Sequence, residues 1–148
     1  MLYQNTDNGA YANGSWNNGK LQIDVGGVNG VDIKDGMSGG WEYKFTTTTD
    51  GKLEVKFDYH LWISNQYESN EFGEVVVQLD GVDVAVKRLV GRGGTYTDSK
   101  TGHVVVFPYL AAGSHKVILG AHNNQKTTSN EYSTVKYDNV KVSLLPAE

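Results

Sequence analysis

A carboxylate, an imidazole and an indole occupy every second position of one short segment, Phe57–Ile63. These residues are Asp58, His60 and Trp62, and the residues between them are all apolar or aromatic. Successive side chains of a β-strand point to opposite faces, so the alternation predicts a strand with one face on a core. An indole can stack on the apolar face of a sugar ring while the two polar groups bond its hydroxyls. The segment therefore predicts a sugar platform, and the alternative is that Trp62 packs beneath a loop or a sheet edge.

Polar loops at one end of the fold are expected to form the rim of that platform. The three candidate loops are Ser64–Phe72, Gly91–Gly102 and Asn123–Tyr132. Glycines flank Arg92 and would let a backbone come close to a ligand, while a cation here would bind the carboxylate of a uronic acid or a peptide C-terminus. Solvated surface charge is the alternative for each cation. The predicted rim residues are Tyr67, Arg92, Tyr96, Asn123, Asn124 and Lys126.

The elements that must position these side chains are strands. Apolar alternation recurs along the chain, no helical period extends beyond a turn, and Asp80-Gly81 is a hairpin signal. The predicted strands are Leu21–Val25, Trp41–Thr46, Leu53–Ile63, Val75–Leu79, Val82–Val90, Val104–Phe107, His115–His122 and Val135–Leu145. Strands at this spacing predict an all-β, two-sheet antiparallel β-sandwich of eight or nine strands, and the glycine-rich turns and long loops favour a jelly roll.

Bulk composition limits the classes of partner. The 148 residues suit a single domain, residues 1–148, with a core of its own. The net charge is −4 and lysine and arginine are scattered, so no basic stripe for nucleic acid is present. No apolar run is long enough for a membrane helix, and the absence of cysteine removes disulfides and thiolate metal sites. The abrupt ends suggest a module within a longer protein.

Several motifs together carry a resemblance to a known family, over roughly residues 40 to 145. They are Tyr67–Phe72, Leu110–Gly120, Asn123–Lys126, Glu131 and Tyr137–Val140. These segments resemble jelly-roll carbohydrate-binding modules of large secreted bacterial proteins, including polysaccharide-degrading enzymes and calcium-dependent RTX-type adhesins. The resemblance implies a secreted or cell-surface location and a multidomain parent protein. It also implies that the aspartate of the Asp138-Asn139-Val140 motif helps to hold a structural calcium ion.

Calcium is the cofactor that this resemblance and the oxygen-rich loops lead us to expect, in a structural or ligand-bridging role. Calcium takes carboxylate, amide and carbonyl oxygens from irregular loops. Glu68 and Glu71 lie in the loop Ser64–Phe72, and ordinary solvation of that loop is the alternative. The predicted ligands are Glu68, Glu71, Glu131 and Asp138, with Asn123 or Asn124 completing the shell if their loop lies beside Ser64–Phe72.

Catalysis is not expected. Paired carboxylates hydrolyse glycosides, and Asp58, His60, Glu68 and Glu71 supply acids and bases in principle. However, no catalytic carboxylate motif is recognisable, and the chain is short for a sandwich glycosidase or lyase. A Gly-x-Ser-x-Gly elbow is absent, and the four histidines lack zinc spacing.

Three hypotheses for function follow. The first is a non-catalytic carbohydrate-binding module that targets a parent protein to a polysaccharide or cell-surface glycan. The second is a calcium-dependent adhesin module that binds a protein or peptide carboxylate through the same loops. The third is a structural spacer of a surface protein. None of them involves nucleic acid or membrane insertion.

Overall fold

The computed structural model describes residues 12–17, 20–26, 34–126 and 132–146. These ranges contain strands and turns, and no helix among them is long and apolar enough to cross a membrane. The strands are β1 (Ala12–Asn17), β2 (Lys20–Gly26), β3 (Lys34–Thr47), β4 (Gly51–Ile63), β5 (Phe72–Leu79), β6 (Val82–Val90), β7 (Tyr96–Leu110), β8 (Gly113–Lys126) and β9 (Tyr132–Pro146).

The strands form two antiparallel sheets. Sheet A has the order β1-β2-β9-β4-β7, and sheet B has the order β3-β8-β5-β6. The pairing is nested, since β5 pairs with β6, β4 with β7, β3 with β8 and β2 with β9. A chain folded on itself in this way wraps its paired strands into the two layers of a jelly roll. The predicted all-β sandwich is therefore confirmed.

The core lies between the sheets, and β4 contributes most directly to it. Its buried and less buried positions alternate from end to end, and Leu53, Val55, Phe57 and Leu61 are each 0% exposed. Tyr137 of β9 joins the layers, because its hydroxyl lies 2.5 Å from the Gly120 carbonyl oxygen in sheet B. The period-two pattern that predicted the strand thus also predicted which face is buried.

The predicted hairpin at Asp80-Gly81 is present. Both residues have positive φ, 48° and 88°, as the tight turn between twisted strands requires. The Asp80 carboxylate also accepts a hydrogen bond from the Lys116 amide at 2.8 Å and lies 2.6 Å from His115 Nδ1. The turn is therefore tied to β8 as well as to its own two strands.

The predicted loops are longer than the observed ones. β7 begins at Tyr96, so the predicted loop Gly91–Gly102 is wrong beyond residue 95. β7 is one of the two edge strands of the described sheet A, and its first half lacks a regular apolar face that would have revealed it. Pro108 lies inside the strand, where an edge position tolerates the missing N–H.

Three other boundaries differ for related reasons. β8 continues to Lys126, which places Asn123 and Asn124 in a strand rather than a loop. β3 begins at Lys34, inside a glycine-rich stretch with little apolar alternation. β1 lies in an Asn- and Gly-rich segment that predicts only turns. Tertiary pairing outweighs local propensity in all of these segments.

Candidate functional site

The side chains singled out on β4 lie on the outer face of sheet A, as predicted. The strand register places Trp62 between Thr134 of β9 and Thr97 of β7, and His60 between Lys136 and Ser99. We call this area the polar face. Its residues are Lys20, Gln22 and Asp24 of β2, Tyr132, Thr134, Lys136 and Asp138 of β9, Asp58, His60 and Trp62 of β4, and Thr97, Ser99 and Thr101 of β7.

Asp58 lies where both neighbouring strands bulge. β7 places two residues, Thr101 and Gly102, opposite Asp58 alone, and β9 has one extra residue next to it, at Asn139-Val140. Gly102 and Asn139 take positive φ values of 68° and 50°, which glycine and asparagine tolerate best. The Asp58 carboxylate accepts hydrogen bonds from the Gly102 amide at 2.8 Å and from Asn139 Nδ2 at 2.7 Å. One carboxylate therefore holds both bulges.

These contacts also set the charge of Asp58. The hydrogen bond from Asn139, and after it the one from Gly102, holds the pKa of Asp58 below its ordinary value. Asp58 is thus an ionised acceptor whose two oxygens already have protein donors. Its position on the face agrees with the prediction, and the structure adds a shaping role that its neighbours in sequence do not reveal.

His60 is joined to β7 through a hydrogen bond between its Nδ1 atom and the Ser99 hydroxyl. Burial lowers the pKa of His60, and the nearby charges of Lys136 and Lys20 lower it further. The imidazole is therefore neutral at pH 7, where it can both donate and accept hydrogen bonds.

Trp62 is partly exposed, and its ring packs beside Tyr132 with centroids 4.9 Å apart and planes at 52°. Tyr132 lies on β9, an interior strand of sheet A, so this contact is neither with a loop nor with a sheet edge, and the platform stays a prediction. Sequence analysis missed Tyr132 because it began the last strand at Val135. The signal was available, since Tyr132, Thr134, Lys136 and Asp138 continue the outward positions of β9.

Other polar side chains of this face are held in place by one another. Thr134 Oγ1 donates to Asp24 Oδ1 at 2.6 Å, and Gln22 Nε2 donates to the same carboxylate at 3.0 Å. Such contacts between neighbouring side chains order them before a ligand arrives and lower the entropy cost of binding.

A pocket of about 420 Å³ lies in the polar face, within the range of ordinary ligand sites. Its lining residues are Lys20, Asp58, Tyr59, His60, Ser99, Lys100, Thr101, Lys136 and Asp138. The partly exposed indole of Trp62 lies two residues along β4 from His60, outside the lining of this pocket.

Tyr67 is not a rim residue, and that prediction is wrong. Its side chain is only 1% exposed and belongs to the core, because the loop after β4 folds back over the sandwich. The same packing explains Gly91, whose added Cβ would lie 2.4 Å from the Glu68 carbonyl oxygen. Gly91 also donates its amide to the Glu71 carbonyl at 2.9 Å. This glycine serves the close approach of two loops rather than of a ligand.

Asn123 has a structural role, so the prediction that it binds the ligand is also wrong. It is 0% exposed, its Nδ2 donates to the Val25 carbonyl at 3.0 Å, and its Oδ1 accepts from the Ser133 hydroxyl at 2.6 Å. Asn124 accepts a hydrogen bond from the Phe72 amide and donates to the Asn70 carbonyl, both at 2.8 Å. Asn124 thus lies beside the Ser64–Phe72 segment, which was the condition for an asparagine of β8 to complete a calcium shell.

The remaining rim residues do not join the polar face. The Arg92 guanidinium lies 5.6 Å from the centre of the Tyr96 ring, and Tyr96 packs against the core at the start of β7. Lys126 pairs with Lys34 on β3, the opposite edge of sheet B from β6. The residues that were predicted to form one rim therefore lie in different parts of the fold.

The predicted calcium shell is not assembled by the described residues. Asp138 is paired with Asp58 on the polar face, whereas the loop of Glu68 and Glu71 leads into Gly73, which lies against Ser133 near the start of β9. Ser133 and Asp138 are five residues apart on one strand, about 17 Å. Glu71 is 0% exposed, and its Oε1 accepts the Glu68 amide at 2.8 Å.

Glu131 lies outside the described residues. Within the described ranges no three acidic, histidine or cysteine side chains gather as a metal site. A shared site for Asp138 with Glu68 and Glu71 is therefore wrong on geometric grounds, and calcium elsewhere stays a prediction.

A charged cluster on the outer face of sheet B was not predicted. Glu74 lies 2.8 Å from His122 Nδ1 and accepts from Arg88 Nε at 3.2 Å, while Arg88 lies 3.8 Å above the Phe72 ring. Burial would raise the pKa of Glu74, but the bonds from His122 and Arg88 outweigh it and the pKa is lowered. The cluster joins β5, β6 and β8, and its members are too far apart in sequence to form a motif.

Another, more apolar pocket of about 370 Å³ is present among the described residues. It lies at the side of the sandwich, and its lining includes Leu21, Trp41, Tyr43, Val140 and Val142. Glu42 is the one charged residue in its lining. A sugar site needs several polar groups beside the aromatic ones, so this pocket suits a sugar less well.

Comparisons with known proteins give only weak structural similarities. No family model and no curated protein matches the chain. A cycloisomaltooligosaccharide glucanotransferase from Paenibacillus sp., complexed with cycloisomaltoheptaose, is similar at 12% identity and a TM-score of 0.35, over 93% of this chain and 17% of that enzyme. A carbohydrate-binding module of Cellvibrio mixtus lichenase 5A, in complex with cellotriose, is similar at 16% identity and a TM-score of 0.33, over 92% and 91% of the two chains. Values this low do not identify a ligand for this chain.

Proposed function

We propose that this chain is a non-catalytic carbohydrate-binding module whose glycan lies across the polar face of sheet A. The observation that carries the proposal is the alignment of a partly exposed indole with hydroxyl, imidazole and amide groups on four adjacent strands. A sugar presents apolar C–H faces and a polar rim, so its site needs both kinds of group within one ring width of each other.

Each part of the face has a role in this proposal. Trp62, steadied by Tyr132, stacks on one sugar ring. His60 and Ser99 bond hydroxyls over the adjacent pocket, and Thr97 and Thr134 do so beside the indole. The hydrogen bonds that already order His60 and Thr134 reduce the side-chain entropy lost on binding.

The absence of catalysis in this proposal is supported by the state of the Asp58 carboxylate. Glycoside hydrolysis needs an acid whose pKa is raised so that it holds a proton near neutral pH. The pKa of Asp58 is instead lowered by its bonds from Asn139 and Gly102. Asp58 is therefore suited to holding the bulges and poorly suited to protonating a leaving group.

We further propose that the module acts outside the cell, as part of a larger protein that it holds on a glycan. This part of the proposal rests on the sequence resemblance alone. Extracellular labelling of the native protein on intact cells checks it, and labelling only after lysis would contradict it.

Affinity electrophoresis in gels that contain soluble polysaccharides tests the site. Trp62→Ala is expected to raise the dissociation constant by about fivefold or more, because a lost aromatic stack costs on the order of one to several kcal/mol. Tyr43→Ala is the matched control, since Tyr43 is an aromatic residue of sheet B with 54% of its surface exposed. Loss of binding in the Tyr43 variant with full binding in the Trp62 variant would place the site elsewhere.

A further inference from the structure

Two lysines approach the pocket of the polar face from neighbouring strands. Lys136 of β9 is directly opposite His60, and Lys20 lies at the start of β2. Both line the pocket. Neither forms an ion pair in the part of the chain that the structure describes. Two ammonium groups without a paired carboxylate are available to an anion.

The carboxylates of the pocket are already engaged by the protein. Asp58 accepts from Gly102 and Asn139, and Asp138 Oδ1 accepts from the Asn139 amide at 2.9 Å. Three lysines and two aspartates line the pocket, which leaves a formal charge of +1 in a chain whose net charge is −4. The pocket is thus electropositive relative to the rest of the molecule.

We infer that the sugar unit seated over this pocket carries an anionic group, a carboxylate or a sulfate, which lies between Lys20 and Lys136. This inference rests on the proposed function. Ammonium groups bind such oxygens through charge-assisted hydrogen bonds, which are stronger than bonds between neutral partners. His60 and Trp62 are two residues apart on one strand face, about 7 Å. The lysines can therefore bind one unit of a glycan while the indole stacks on its neighbour.

Isothermal titration calorimetry against three groups of glycan tests the inference. The groups are polygalacturonate and alginate as carboxylates, carrageenan and dextran sulfate as sulfates, and barley β-glucan and dextran as neutral chains. We expect at least one anionic group to bind about tenfold more tightly than the neutral group. The carboxylate and sulfate arms distinguish the two sources of charge. Tight binding should weaken as ionic strength rises, because salt screens exposed charges.

Lys136→Met is the test variant and Lys141→Met is its control, since both lysines lie on β9 and Lys141 is exposed beyond the bulge. We expect the Lys136→Met variant to bind anionic glycans about tenfold more weakly than the unmodified chain. The Lys141→Met variant should bind them within about twofold of the unmodified chain. Equal binding of neutral and anionic glycans would overturn the inference and leave carbohydrate binding intact. Binding of no glycan by the unmodified chain would overturn the proposed function itself. An equal effect of the two lysine variants would overturn the assignment of the anion to Lys136.

Discussion

Asn123→Ala should destabilise the protein without changing its ligand. Asn123 is 0% exposed and joins β8 of sheet B to the Val25 carbonyl and the Ser133 hydroxyl of sheet A. Alanine leaves both of those groups buried without this partner, and each unmade bond costs about 1–3 kcal/mol. We therefore expect a loss of about 3 kcal/mol in the free energy of unfolding. For a domain of this size that is a fall of roughly 10 °C in Tm.

Urea denaturation measures the loss, and a double-mutant cycle with Ser133→Ala measures how much of it belongs to the Asn123–Ser133 bond. The two changes should be less than additive, with a coupling of about 1 kcal/mol, because they remove the two ends of one contact. Glycan affinity should be unchanged at a temperature at which the variant is folded. Unchanged stability together with lost affinity would refute the structural role and restore Asn123 as a ligand residue.

Two further predictions concern acid and calcium. The pKa of Asp58 is lower in the folded chain, so its stabilising contribution is fully present above about pH 4 and disappears as pH falls through the folded pKa. The urea midpoint of the unmodified chain should therefore fall more steeply between pH 5 and pH 2 than that of Asp58→Asn, and parallel curves would contradict this. If calcium binds, Tm should rise reversibly with calcium and fall with chelator. Identical Tm values with calcium and with chelator would contradict the calcium prediction.

How much of this site could be predicted depends on where each residue's partners lie in sequence. The outward positions of Asp58, His60 and Trp62 follow from period-two alternation within one strand, and the local sequence alone shows that alternation. The burial of Asn123 depends on Val25, 98 residues away in sequence, and on Ser133. A buried asparagine with satisfied hydrogen bonds reads like a loop residue until its partners are known.

The first half of the edge strand β7 also could not be predicted from the sequence. Within the described strands the first half of β7 pairs with β4 alone and has little apolar surface to bury, so its sequence predicts a loop from Gly91 to Gly102. Its residues Thr97 and Ser99 contribute to the polar face only because β7 pairs with β4 in the observed register. The platform was thus predictable, but the side chains opposite it were not.

The central claim, that the polar face of sheet A binds the glycan, is tested most directly by backbone amide chemical-shift mapping with whichever glycan the chain retains. The account predicts perturbed amides on β2, β9, β4 and β7 around Trp62 and His60, with sheet B unaffected. Perturbations centred on the apolar pocket at Trp41 and Tyr43, or on the Glu74 cluster of sheet B, would contradict it.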